Sequence, residues 1–170
     1  MKSIKTAAIL LLSVAAISAC DDDDDPIGIT FSDLVGSWSA QSFVYASADN
    51  PALAIDVIGT LNGDLDLTVA SNQTFTGTVN VPNLTPGPLP IGGSLALDTG
   101  TGTVSVDFDA QTESNDLFED FTADYEMSSD RNTLTWTYEG TTFDFDQDGD
   151  EEDAVVTVVL IRQESSTASG

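Results

Sequence analysis

Histidine is absent from this 170-residue chain, cysteine occurs once, and lysine and arginine together number four. Without histidine there is no Ser-His-Asp triad and no histidine-bearing zinc or copper site. A single cysteine, Cys20, excludes an internal disulfide and leaves thiol chemistry to one residue. Long apolar runs are missing too: the longest, residues 7–17, has about 11 residues where a membrane-spanning helix needs ~20. Chemistry would fall to carboxylates or tyrosines alone. A glycosidase-type pair requires two acids facing each other in a cleft, whereas the acids here fall on outward strand positions and loops. The chain is therefore expected not to be an enzyme.

What is present begins with the leader. Lys2 and Lys5 precede the apolar run, which ends in Ile17-Ser18-Ala19-Cys20. A charged start, a short apolar core and small residues at the cut form a secretory signal. The last four residues resemble the lipobox of bacterial lipoproteins. The resemblance implies that residues 1–19 are removed and that Cys20 carries a diacylglycerol as the new N-terminus. Each buried methylene contributes about 0.8 kcal/mol, so two or three acyl chains make a lasting membrane anchor. Residues 20–30 then form a tether. Asp21 to Asp25 are five consecutive aspartates, a like-charge block that stays extended and solvated. Lipoprotein sorting gives two opposed readings of such a block, retention at the inner membrane and export to the cell surface. A run of five fits export better, so the expected location is the outer membrane or cell surface of a bacterial envelope; a plain spacer is the third reading.

Loss of residues 1–19 leaves Arg131 and Arg162 as the only cations against 29 acids, a net charge of about −27. Such a chain repels nucleic acid and anionic headgroups and attracts divalent or cationic partners. A saline habitat would produce the same composition. The sequence names no protein partner.

From residue 64 onward the chain is written in period two. Leu65, Leu67 and Val69 interleave with Asp64, Asp66 and Thr68, and Val104, Val106 and Phe108 with Ser105, Asp107 and Asp109. Phe121, Ala123, Tyr125 and Met127 alternate with Thr122, Asp124 and Glu126, and Leu134, Trp136 and Tyr138 with Thr133, Thr135 and Thr137. This is the pattern of antiparallel strands with one dry and one wet face. With an opening strand near 38–46 and a closing one at 155–162, eight or nine strands are expected, and residues 51–60 read as non-strand, a short helix in form. The fold class is all-β, an antiparallel up-and-down barrel, with a β-sandwich as the alternative.

Phe31-Ser32-Asp33-Leu34-Val35-Gly36-Ser37-Trp38 resembles the L-x-G-x-W opening of lipocalin-like bacterial lipoproteins. Gln73-Thr74-Phe75-Thr76-Gly77-Thr78, Arg131-Asn132-Thr133-Leu134-Thr135 and Val158-Val159-Leu160-Ile161-Arg162 extend the likeness over residues 31–163, leaving 164–170 as a tail. The resemblance implies a small β-barrel that binds a small molecule. In a closed barrel the first strand begins beside the end of the last, which brings Trp38 near Arg162. The resemblance further implies that Arg162 stacks on the Trp38 ring, a contact of roughly 0.5–2 kcal/mol.

Between Phe143 and Val155 acids fall at Asp144, Asp146 and Asp148, followed by Gly149, Asp150 and Glu152. The spacing matches the first half of an EF-hand-type loop, with the glycine at the sharp turn. Position 12 is Val155, so the usual bidentate glutamate is missing, and Glu152 or Asp153 would have to complete a structural calcium site. The alternative is an acidic turn without an ion.

An eight-stranded barrel either fills with side chains or holds one small ligand. Tyr125, Trp136 and Tyr138 are the candidate walls of an apolar pocket with polar handles; the other outcome is a filled lumen serving a structural or adhesive lipoprotein. The proline-rich stretch 81–93 and the acidic stretch 111–120 are candidate rims, with Leu117 and Phe118 able to tuck inward. Val155, Val159 and Ile161 make the last strand apolar on its outer face, and residues 52–58 or a partner are expected to cover them.

Overall fold

A computed structural model describes residues 28–82, 85, 87–109, 119–146 and 148–164. Cys20, the aspartate run, Leu117 and Phe118 lie outside the described residues. After a short helix, α1 (Phe31–Leu34), come nine strands: β1 (Gly36–Ser47), β2 (Ala54–Asp56), β3 (Asp64–Val69), β4 (Thr74–Asn80), β5 (Leu89–Asp98), β6 (Thr103–Phe108), β7 (Phe121–Met127), β8 (Thr133–Phe143) and β9 (Glu152–Arg162). All neighbours pair antiparallel, and β9 returns to pair with β1 from Trp38↔Arg162 to Ser47↔Ala154. That pairing closes eight strands into a barrel, leaving β2 as an extra strand beside the far half of β1. Closure decides against the sandwich.

The alternation read from the sequence is the alternation of burial. In β3, Leu65, Leu67 and Val69 are buried while Asp64, Asp66 and Thr68 are exposed. The inward faces of all eight barrel strands merge into one core. Backbones approach closely at two glycines: a methyl on Gly93 would stand 2.0 Å from the Asp107 carbonyl oxygen, and one on Gly77 2.2 Å from that of Asp66. Only glycine fits such crossings.

Three expectations need correction. Residues 51–60 are not a helix: Ala54–Asp56 adds a strand to β1, and turns follow it. The Asp56 carboxylate fixes that corner, accepting the N–H of Phe43 at 3.2 Å and of Ile58 at 3.0 Å. The proline-rich connection ends earlier than 93, because β5 begins at Leu89 and carries Pro90 opposite Thr78. Finally, β2 lies on the side of β1 away from β9, so it does not cover Val155, Val159 and Ile161; these are half-buried among their strand neighbours.

An up-and-down ring sorts its connections by end. The turns at residues 70–73, 99–102 and 128–132 meet at one pole with α1. The strand ends that flank the longer connections, Ser47 and Asp64, Asn80 and Leu89, Phe108 and Phe121, and Phe143 and Glu152, lie at the other. One end is built to close and the other to open.

Candidate functional site

The closed pole is organised by Arg162. Its guanidinium carbon lies 4.3 Å from the centroid of the Trp38 ring. It also donates to the carbonyl oxygens of Arg131 (Nε, 2.9 Å), Val35 (Nη1, 2.8 Å) and Asp33 (Nη2). Trp38 in turn donates its indole N–H to the Leu34 carbonyl at 2.8 Å. The carbonyls of Asp33, Leu34 and Val35 at the end of α1 are thereby satisfied, and Leu34 sits in the barrel end as a plug, 1 % exposed. Gly36 explains its own place in the motif: at φ +141° a methyl there would fall 2.6 Å from the Arg162 guanidinium. Asp33 completes the cap. The Thr30 backbone N–H, at 2.8 Å, does most to hold its carboxyl below the usual carboxylate range; the Thr30 hydroxyl and Arg131, ion-paired at 2.8 Å, assist against partial desolvation. Trp38, Leu34, Leu134, Leu160 and Val104 pack this end solid.

Above that layer the lumen is open. A cavity of about 770 Å³ is lined on its β3–β6 side mainly by aliphatic residues, Leu65, Leu67, Val79, Ile91 and Val106, with Phe75. The side formed by β7, β8 and β1 is largely aromatic. Phe121 stacks on Tyr138 at 4.2 Å, Tyr45 lies between Phe43 (5.3 Å) and Phe143 (5.1 Å), and Phe121 meets Trp136 edge-on at 6.4 Å. Burial pushes the phenols of Tyr45 and Tyr138 up, that of Tyr138 further because Tyr45 lies beside it. Both stay neutral well into the alkaline range. Trp136 lines the cavity at 5 % exposure, yet its buried indole N–H has no hydrogen-bond partner among the described residues. At the mouth stand Glu119, Asp120, Glu139 and Glu151, all exposed, with Thr122, Thr141 and Thr142.

Of the three residues expected to wall a pocket, Trp136 and Tyr138 do so and Tyr125 does not. β7 runs from the mouth to the closed pole, and Tyr125 sits near its lower end, with its N–H bonded to Gly102 in the β5–β6 turn. The lumen is filled with side chains at the closed pole and holds the cavity above them. The sequence reading missed Phe43, Tyr45 and Phe143. Each follows a bulge that reverses the inward parity, between Ala40 and Ser42 in β1 and between Glu139 and Thr141 in β8. Gly140, at φ +87°, was a visible signal for the second; Gln41 gives none for the first.

The acidic loop lies at the open pole, between Phe143 in the cavity wall and the start of β9. Asp144, Asp146 and Asp148 bring one carboxylate oxygen each within 4.8 Å of the others. Asp150 and Glu152 are not part of this group. The Asp150 backbone N–H donates to Asp148 at 2.9 Å, and the Glu152 carboxylate accepts the Phe145 N–H at 3.0 Å, which holds it at the base of the loop. Gly149, at φ +97°, turns its N–H onto Asp144 Oδ2 at 3.1 Å. Asp144 Oδ1 is buried without a partner among the described residues.

No protein-family model and no curated protein matches the chain. Among solved structures, a redesigned β-barrel is similar over 78 % of this chain and 94 % of its own, at 19 % identity and a TM-score of 0.42.

Proposed function

We propose that this protein is an exported bacterial lipoprotein, lipocalin-like in plan, whose barrel takes up a small, mostly apolar molecule at the outer membrane or cell surface. The observation that carries the reading is the cavity of about 770 Å³, walled by aromatic rings and open at one pole only. Its size lies within the range of small-molecule sites, ~300–1,000 Å³, and its make-up fits one: apolar walls with a few polar atoms. The unpaired Trp136 N–H is a donor held in store beside it. Nothing in the chain's residue inventory asks for catalysis; the site binds and releases.

One native mass spectrum of the full-length product from an exporting bacterial host tests both halves. The chain is expected to start at Cys20 with a diacylglycerol attached and to carry a further non-covalent mass of a few hundred daltons, shed on activation. A bare, unlipidated chain would sink the reading.

The acidic loop supports a structural calcium ion, held by Asp144, Asp146 and Asp148. The orphaned Asp144 Oδ1 is the specific support, since a cation would satisfy it. Its part would be to stiffen the loop beside Phe143. With few protein ligands the expected Kd is about 10⁻⁴–10⁻³ M. Calcium at about a hundredfold excess over Kd should stabilise the fold by about 2.7 kcal/mol, read as a rise in melting temperature. Asp144→Asn should abolish the rise. An equal rise with magnesium would reduce the effect to charge screening and end the proposal.

A further inference from the structure

We infer that the ligand of this cavity is an organic cation, an amine or quaternary ammonium carrying an apolar body, rather than a fatty acid or a neutral lipid. The inference rests on the binding reading above and specifies its ligand class.

The charge of the barrel is divided by pole. Its two described cations, Arg131 and Arg162, are both at the closed end, one paired with Asp33 and the other laid over Trp38. The mouth has no base among the described residues. It carries Glu119, Asp120, Glu139 and Glu151 on the cavity wall, with the Asp144–Asp148 loop at the same end. A carboxylate head entering here would meet only like charge. A positive head would be drawn in, because a cleft with low-dielectric walls focuses the field of its rim.

Below the acids, on the β7, β8 and β1 side, the wall is built of the rings of Phe43, Tyr45, Phe121, Tyr138 and Phe143. Aromatic rings hold cations, quaternary ammonium above all, through the ring quadrupole. With both phenols neutral, Tyr45 and Tyr138 offer rings and hydroxyls there. Across the lumen, on the β3–β5 side, Leu65, Leu67, Val79 and Ile91 receive the apolar body. An acidic rim over a lumen aromatic on one side and aliphatic on the other suits a cationic amphiphile entering tail first. Trp136, 95 % buried on this wall, keeps an unused N–H there, a donor for an oxygen carried by the apolar body.

The test is titration calorimetry of the full-length protein in EDTA with four probes of one chain length: octyltrimethylammonium, 1-octanol, octanoate and octylphosphocholine. Octyltrimethylammonium should bind with one-to-one stoichiometry at least about tenfold more tightly than 1-octanol, and 1-octanol should displace it. Octanoate should not bind. Octylphosphocholine, whose phosphate meets the same carboxylates, should bind less tightly; equal binding would overturn the assignment to a net cation. If 1-octanol binds as well as the cation, the inference falls while the binding reading stands. If no probe binds, the binding reading fails as well. A charge variant separates lumen from surface attraction. Glu119→Gln with Glu139→Gln, two exposed side chains, should cut the preference for the cation at least about threefold; an unchanged preference would overturn the role of the rim.

Discussion

Replacing Arg162 with leucine is expected to destabilise the barrel by about 2–4 kcal/mol. Three backbone carbonyls, those of Asp33, Val35 and Arg131, would lose their donor at a half-buried site. A lost hydrogen bond of this kind costs about 1 kcal/mol, and the contact over Trp38 adds about 0.5–2. The effects overlap, because all of them act on one joint: the seating of α1 and its Leu34 plug. Arg162→Lys separates charge from geometry. An ammonium keeps the net charge but cannot reach three carbonyls in three directions while lying flat on an indole, so the lysine variant should recover less than half of the loss. Arg131→Ala, which breaks the half-buried single pair with Asp33 and leaves the Arg131 carbonyl in place, should cost about 1 kcal/mol. Urea unfolding gives the readout, as a lower midpoint with an unchanged slope. A lysine variant as stable as the parent would mean that charge alone, and not the fork of the guanidinium, holds the pole shut.

That joint was legible in the sequence because closure is a topological fact. A first strand starting at Gly36 and a last ending at Arg162 must meet, so Trp38 and Arg162 meet with them. The strands were legible for a related reason: Leu65, Leu67 and Val69 against Asp64, Asp66 and Thr68 state the inner face outright. Bulges defeat this reading. After Gln41 the inward residues of β1 change from even to odd numbers, and Phe43 and Tyr45 turn into the cavity with no local cue. β2 was hidden for another reason. Three residues that pair with one edge show no periodicity, and Pro51 and Gly59 around them speak for a turn. The cavity was the least legible feature of all. Whether Trp136, Tyr138 and Phe121 fill a lumen or wall it depends on which ring leans on which, and the stacking of Phe121 on Tyr138 draws bulk to the wall and leaves the centre free.

If the lumen is the binding site, blocking it must abolish binding without unfolding the barrel. β5 and β9 stand four strands apart in a ring of eight, hence on opposite walls. Ile91 and Val158 are buried there, and both line the cavity. In the I91F/V158F variant the two added rings extend towards each other across free space. Overpacking a filled core costs typically ~1–3 kcal/mol, but rings entering a cavity displace no packed neighbour, so the loss of stability should stay under about 1 kcal/mol. Phenylalanine also adds no polar atom that would need a partner. Affinity for octyltrimethylammonium should fall at least about a hundredfold, since its chain would no longer reach the floor at Leu67 and would forfeit about 0.8 kcal/mol for each methylene kept in water. Calorimetry and a melting curve on the same preparation decide the matter. A variant that melts like the parent and still binds the cation would place the ligand on the acidic exterior, and the cavity would then be a structural void at the mouth of a barrel closed by Arg162.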